Sequence, residues 1–131
     1  MILAAKWARE NSIPYLGVCL GLQIATIEFV NNVLGRKDCT SAEFLPDTPE
    51  DKQVVVYMPE IDKENMGGTM RLGLRPTYFQ KDTEWSKIRK LYGNVHEVEE
   101  RHRHRYEINP KLVSELEENG FIFVGKDETG E

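Results

Sequence analysis

Cys19 stands between two glycines, in Gly17-Val18-Cys19-Leu20-Gly21-Leu22-Gln23. Upstream, Ile13-Pro14-Tyr15-Leu16 is a short apolar run that predicts a buried strand, and downstream Ile24 to Val30 continues as a helix. Gly-x-Cys-x-Gly at a strand-to-helix junction is the thiol form of a nucleophile elbow. The backbone must reverse sharply at Cys19, and side chains two residues to either side are expected to collide with the turn. The sulfur then sits at the positive end of a helix, where negative charge is favoured. The peptide N–H of Leu20 is expected to point where an oxyanion forms during acyl transfer. The opposing interpretation is an inert core thiol, the usual state of a lone free cysteine. Two glycines at this spacing favour the nucleophile. Cys39 has no motif around it and is expected to be structural.

A second group is Glu100-Arg101-His102-Arg103-His104-Arg105-Tyr106-Glu107. A basic run can bind nucleic acid, but Glu97, Glu99, Glu100 and Glu107 flank it and largely cancel its field. His102 and His104 at a spacing of two can hold a metal from one strand face, yet no third ligand stands nearby. Recognition of a carboxylate by arginine suits an amino-acid substrate and is the favoured use. Gly67-Gly68-Thr69 lacks the Lys-Ser/Thr tail of a P-loop, so a glycine turn before a strand is the simpler assignment. Glu43, taken alone, reads as a solvated loop acid.

These groups must be positioned by alternating strands and helices. Met1 to Glu10 reads as an amphipathic helix ended by Asn11-Ser12, and the helix after the elbow runs from about Leu20 to Leu34-Gly35. Asp38 to Asp51 is a loop, Gln53 to Met58 a β-branched strand, and Glu60 to Glu64 a turn. Thr77-Tyr78-Phe79 is expected to pair with Met70-Arg71-Leu72. Asp82 to Leu91 is a short helix with Trp85, Ile88 and Leu91 as its apolar stripe. The Arg101 to Asn109 stretch is one strand with Tyr106 and Ile108 on a buried face. Pro110 opens a helix over Lys111 to Glu118, closed by Asn119-Gly120, and Phe121 to Gly125 is a final strand. The pattern predicts an α/β fold, with a largely parallel core sheet flanked by helices and a small antiparallel annex in the middle.

The chain has 131 residues, 40% of them hydrophobic and 30% charged, which suits one soluble globular domain. Its net charge of -5 argues against a nucleic-acid partner. Two cysteines give no disulfide framework and fit a reducing, cytoplasmic setting. No run resembles a membrane span, and the charged start does not resemble a signal peptide.

Pro14 to Gln23 resembles the nucleophile segment of class I glutamine amidotransferases, which hydrolyse glutamine through a cysteinyl thioester and release ammonia. Two further segments, Met66-Gly67-Gly68-Thr69-Met70-Arg71-Leu72-Gly73 and the Arg101 to Arg105 run, are similar to markers of the glutaminase domain of the CTP synthase family. Such enzymes make CTP from UTP, ATP and glutamine. The resemblance implies Cys19 as nucleophile and Leu20, Gly21, Leu22, Gln23, Glu43 and Arg105 as glutamine-binding positions. Glu43 would accept from the substrate ammonium group, and Arg105 matches the arginine that contacts glutamine in that family. Leu22 stands where the family usually has Met, a volume-conserving change.

The resemblance further implies a partial amidotransferase domain spanning residues 1–131. The family's base is a histidine in a His-Pro-Glu segment, and a glycine-rich loop supplies a second oxyanion N–H; the sequence contains neither. ATP and Mg belong to the synthase domain, and no cofactor is implied for this chain. Implied partners are glutamine, the synthase domain and, at full length, further copies of the enzyme. The alternative is a catalytically inactive fragment acting as an interaction module of the parent enzyme.

Overall fold

A computed structural model describes residues 1–58, 71–128 and Gly130. In chain order the elements are α1 (Ile2–Glu10), α2 (Leu20–Asn32), β1 (Thr40–Ser41), β2 (Gln53–Tyr57), β3 (Arg71–Phe79), α3 (Lys87–Leu91), β4 (Glu97–His104), β5 (Tyr106–Ile108), α4 (Val113–Glu118) and β6 (Gly125–Lys126). Single 3-10 turns precede β2 and α4. No described helix is long and apolar enough to cross a membrane. The chain divides into two compact units. The first comprises 1–58 with 105–121, and the second 71–104 with the residues from 122 onward.

The first unit is built on β2. Its Gln-Val-Val-Val-Tyr sequence is β-branched and packs on both faces, with Val54 and Val55 fully buried. Strand β1 pairs with it in parallel and β5 antiparallel, giving the order β1-β2-β5. Helix α2 packs on this sheet and on α1. Residues around its whole circumference are buried, among them Ile24, Ile27, Phe29 and Val30 and the polar Gln23, Thr26 and Glu28. The Phe29 ring meets Phe121 edge-on, with centroids 5.2 Å apart. Leu112 and Leu116 close the core from the α4 side. Asn109 caps the turn before α4, its Oδ1 accepting from the Lys111 N–H at 3.1 Å, just ahead of the expected Pro110.

The second unit is an antiparallel sheet of order β4-β3-β6, the expected annex. Here β3 is one nine-residue strand, and its partner is β4 along eight registered pairs, from Arg71↔His104 to Tyr78↔Glu97. Arg71-Leu72 and Thr77–Phe79 therefore lie within one strand and do not pair with each other. Met66 to Met70 and the expected Glu60 to Glu64 turn lie outside the described residues.

Four other expectations are corrected. Ile13–Leu16 is not a strand: no ladder joins it to another described strand, and Leu16 and Val18 are 84% and 75% exposed. Phe121–Val124 is irregular, because the chain passes from the first unit to the second between Phe121 and Ile122, and only Gly125–Lys126 joins a sheet. The Arg101 to Asn109 stretch is two strands broken at Arg105, one in each unit. The expected Asp82–Leu91 helix is only α3 (Lys87–Leu91), and its stripe is inverted: Trp85 before it and Ile88 and Leu91 within it are exposed while Arg89 is buried. Its guanidinium donates to the Gln80 carbonyl and the Thr83 hydroxyl, both at 2.9 Å, and pairs with Glu84. Those polar partners hold the loop before α3, and they outweigh the apolar stripe in setting which face turns inward. With two expected strands unformed, the parallel character of the core rests on the β1–β2 pair among the described residues.

Candidate active site

Cys19 is the N-cap of α2 and has φ 52° and ψ -107°, a backbone region L-residues rarely adopt. Its side chain is exposed. The carbonyls around it start the helix: Val18 accepts from the Gly21 N–H at 2.9 Å, and Cys19 from Leu22 at 3.1 Å and Gln23 at 3.3 Å. The sharp turn into a helix expected from the sequence is therefore present at Cys19, although no strand precedes it, and the role of the glycines is revised. A Cβ at Gly17 would lie 2.6 Å from the Gly21 carbonyl carbon and 2.6 Å from the Tyr15 ring, so only glycine fits. A Cβ at Gly21 would meet nothing closer than the Tyr15 hydroxyl at 3.6 Å, an ordinary contact. The turn itself needs only the first glycine.

Tyr15, absent from the sequence-based site, braces the elbow. Its hydroxyl donates to the Gly21 carbonyl at 3.0 Å, tying the approach segment to the first turn of α2. Leu20 and Leu22 expose their side chains, whereas Gly21 and Gln23 are buried.

Gln23 turns away from solvent, and its Nε2 donates to the Tyr106 carbonyl at 3.1 Å. This bond joins the first turn of α2 to β5 and leaves the carboxamide oxygen as an acceptor. Arg105 immediately precedes β5, and its carbonyl accepts from the Met58 N–H at 3.0 Å, continuing the β2–β5 ladder. Glu43 lies in the turn after β1, where its N–H donates to the Oγ of fully buried Ser41 at 3.1 Å. Burial first, and then the Glu43 carboxylate, raises the pKa of the Tyr106 phenol above its ordinary value, with Arg105 acting the other way. Gln23, Glu43 and Arg105 therefore gather around Tyr106 within the unit that carries Cys19.

Cys39 is 7% exposed. Burial raises its thiol pKa, and Asn31 holds its backbone from both sides, accepting from the N–H at 3.0 Å and donating to the carbonyl at 2.8 Å. Its structural role is as expected. His102 and His104 contact each other with ring centroids 5.4 Å apart. Among the described residues no three or more His, Cys, Asp or Glu side chains group as metal ligands. Burial first, then His104, Arg71 and Arg75, lowers the pKa of the His102 imidazole below its ordinary value. All three histidines belong to the second unit, so the unit carrying Cys19 contains none.

The model for the glutamine amidotransferase class-I family matches residues 1–131, the whole chain. The chain belongs to that family. Among curated relatives it is 78% identical to a CTP synthase of Eremothecium gossypii and 76% identical to CTP synthase 1 of Saccharomyces cerevisiae, over 99% of this chain in each case. It spans 23% and 22% of the lengths of those relatives, under a quarter of each. A solved glutaminase domain of Trypanosoma brucei CTPS with bound acivicin superposes with a TM-score of 0.82 at 35% identity, covering 99% of this chain and 48% of that one. The α/β class expected from the sequence is accordingly the amidotransferase fold.

Two features of this amidotransferase chain escaped the sequence reading. Glu28 lies inside the apolar run Ile24 to Val30 and is 2% exposed, paired with Arg9 of α1. An acid embedded in an otherwise apolar run was the available signal, because such a group needs a partner. Tyr106 carries only the signal of a buried strand residue in the sequence, although its place beside Arg105 puts it next to the proposed substrate contacts.

Proposed function

We propose that this chain is the nucleophile-bearing, glutamine-binding segment of a CTP synthase glutaminase, which supplies ammonia for making CTP from UTP and ATP. One observation carries this reading: an exposed cysteine held at a positive-φ elbow, with Gln23 of α2 bonded to Tyr106 of β5 and Arg105 immediately before that strand, all in the same unit. The Cys19 sulfur attacks the side-chain amide carbon of glutamine, and the Leu20 N–H stabilises the negative oxygen that forms. The carbon–nitrogen bond then breaks, and the nitrogen leaves as ammonia with an added proton. A γ-glutamyl thioester remains on Cys19. Water attacks it, releasing glutamate and restoring the thiol.

Arg105 engages the substrate carboxylate, while Glu43 and the Gln23 carboxamide oxygen accept from its ammonium group. Gly21 and Leu22 contribute backbone groups beside the reacting carbon. The proton donor belongs to a part of the enzyme that the Cys19 unit does not supply. ATP and Mg²⁺ are assigned to the synthase part, together with contacts to further copies of the enzyme, and no step here is routed through them.

The test is a chimera in which this chain replaces the matching segment of S. cerevisiae CTP synthase 1. Glutamine-dependent CTP formation is expected, abolished by Cys19→Ala, with ammonia-dependent formation retained. Arg105→Ala should raise the glutamine KM about ten- to hundredfold, from the range for hydrogen bonds to charged groups. Glutamine-dependent synthesis that survives Cys19→Ala overturns the assignment.

A further inference from the structure

We propose that the Tyr57–Tyr106 pair is the positioning element of the glutamine subsite. This inference rests on the functional reading above and adds two residues to it, neither of which touches substrate in the mechanism described. The two residues lie directly opposite each other in the β2–β5 ladder. Their rings meet edge to face, with centroids 5.1 Å apart and planes at 88°. That arrangement sets the positive ring edge against the negative face and locks both side chains.

The pair lies where two substrate groups are fixed. On one side, the ladder continues through the Met58 N–H to the Arg105 carbonyl at 3.0 Å, so the aromatic pair holds the backbone from which the Arg105 side chain leaves. On the other, the Tyr106 carbonyl receives the Gln23 Nε2 at 3.1 Å. A carboxamide that donates through its nitrogen presents its oxygen elsewhere. The Tyr106 backbone thereby sets which end of Gln23 is offered to an ammonium group. β5 is only three residues long and follows the break at Arg105, so its ladder alone is a weak anchor. The ring pair supplies the lateral constraint the short strand lacks.

The experiment uses the same chimera, with Tyr57→Val removing the ring while keeping a strand-forming residue and Tyr57→Phe keeping the edge-to-face contact. Tyr57→Val should raise the glutamine KM about two- to tenfold, the range for an aromatic pair, with kcat and ammonia-dependent CTP formation within a factor of about two. Tyr57→Phe should restore the parental KM. Inactivation of Cys19 by a glutamine chloroketone provides a second measure: its half-saturating concentration should rise in Tyr57→Val while its limiting rate stays constant. An unchanged KM overturns the inference, as does a parallel fall in glutamine- and ammonia-dependent rates, which marks a merely structural pair. The parental chimera with its Cys19→Ala control separates the two levels. If Cys19-dependent glutaminase activity is present and Tyr57→Val is silent, only the positioning role fails; if that activity is missing, the functional reading fails.

Discussion

Arg9 and Glu28 form a two-pronged ion pair between α1 and α2, with Nε to Oε2 at 2.9 Å and Nη2 to Oε1 at 2.7 Å. Glu28 is buried and Arg9 about one-third exposed, so the arginine shields a charge that water cannot reach. Removing the arginine leaves that charge alone. Arg9→Ala should destabilise the chain by about 2–3 kcal/mol, below the fully buried range because Arg9 keeps some water. Glu28→Gln, which retains hydrogen-bonding atoms without the charge, should cost less. Urea denaturation of the three proteins checks the order, and equal losses would contradict this account.

The two elbow glycines should respond differently to the same added methyl group. Gly17→Ala places a carbon against backbone and should cost about 1–3 kcal/mol or more by overpacking, displacing Cys19 in the process. Gly21→Ala sits in open contact on a helix and should be neutral or stabilising by up to about 1 kcal/mol. Thermal melting separates the pair. A Gly21→Ala variant that folds well but loses glutaminase activity in the chimera would assign that glycine to substrate access.

Alkylation should distinguish the two thiols. Cys19 is exposed, whereas Cys39 is buried, with its pKa raised by that burial. Iodoacetamide at neutral pH should modify Cys19 first, with Cys39 reacting only as the first unit opens. Peptide mapping over time reads the order. Faster labelling of Cys39 would contradict the fold around it.

His102 should make the second unit sensitive to acid. Its folded pKa lies below the unfolded value of about 6.5, so the unfolded chain binds the extra proton first. The contribution is complete above the unfolded pKa and is lost as pH falls through it, levelling off below the folded pKa. Protection factors of the β3 and β4 amides, corrected for the pH dependence of intrinsic exchange, should therefore fall as pH drops from about 7.5 to 5.5. His102→Asn should reduce that difference, and an unchanged difference would assign the effect to other groups.

The isolated chain should not turn over glutamine. A base must stand within hydrogen-bond reach of the reacting groups, and its loss typically removes about 10²–10⁴-fold in rate. No histidine belongs to the unit of Cys19. Ammonia release by the purified chain should match a Cys19→Ala control. Robust Cys19-dependent release would implicate His96, His102 or His104.

The elements legible in sequence were those governed by local chemistry. The β-branched run of β2, the helix after Cys19 and the Asn109-Pro110 start before α4 each carry their signal within a few residues. The inversion of α3 was not legible, because an Arg89 that finds the Gln80 carbonyl and the Thr83 hydroxyl is decided by loop geometry. Nor was the failure of Ile13–Leu16 to form a strand, since an apolar run becomes one only with a ladder partner. The elbow was readable from glycine spacing, although sterics require only Gly17. Gln23 was placed by resemblance, and its partner Tyr106 escaped because sequence offers no sign of a bond to a backbone carbonyl.

That bond joins residues 83 positions apart. A ribosome makes α2, which is buried around its whole circumference, long before β5 exists. Until Tyr106 has been synthesised, the helix behind Cys19 lacks one of its anchors and its greasy surface has no complete shelter. During synthesis the nascent chain therefore passes through an aggregation-prone interval, and the setting of Cys19 is completed only once β5 has been made.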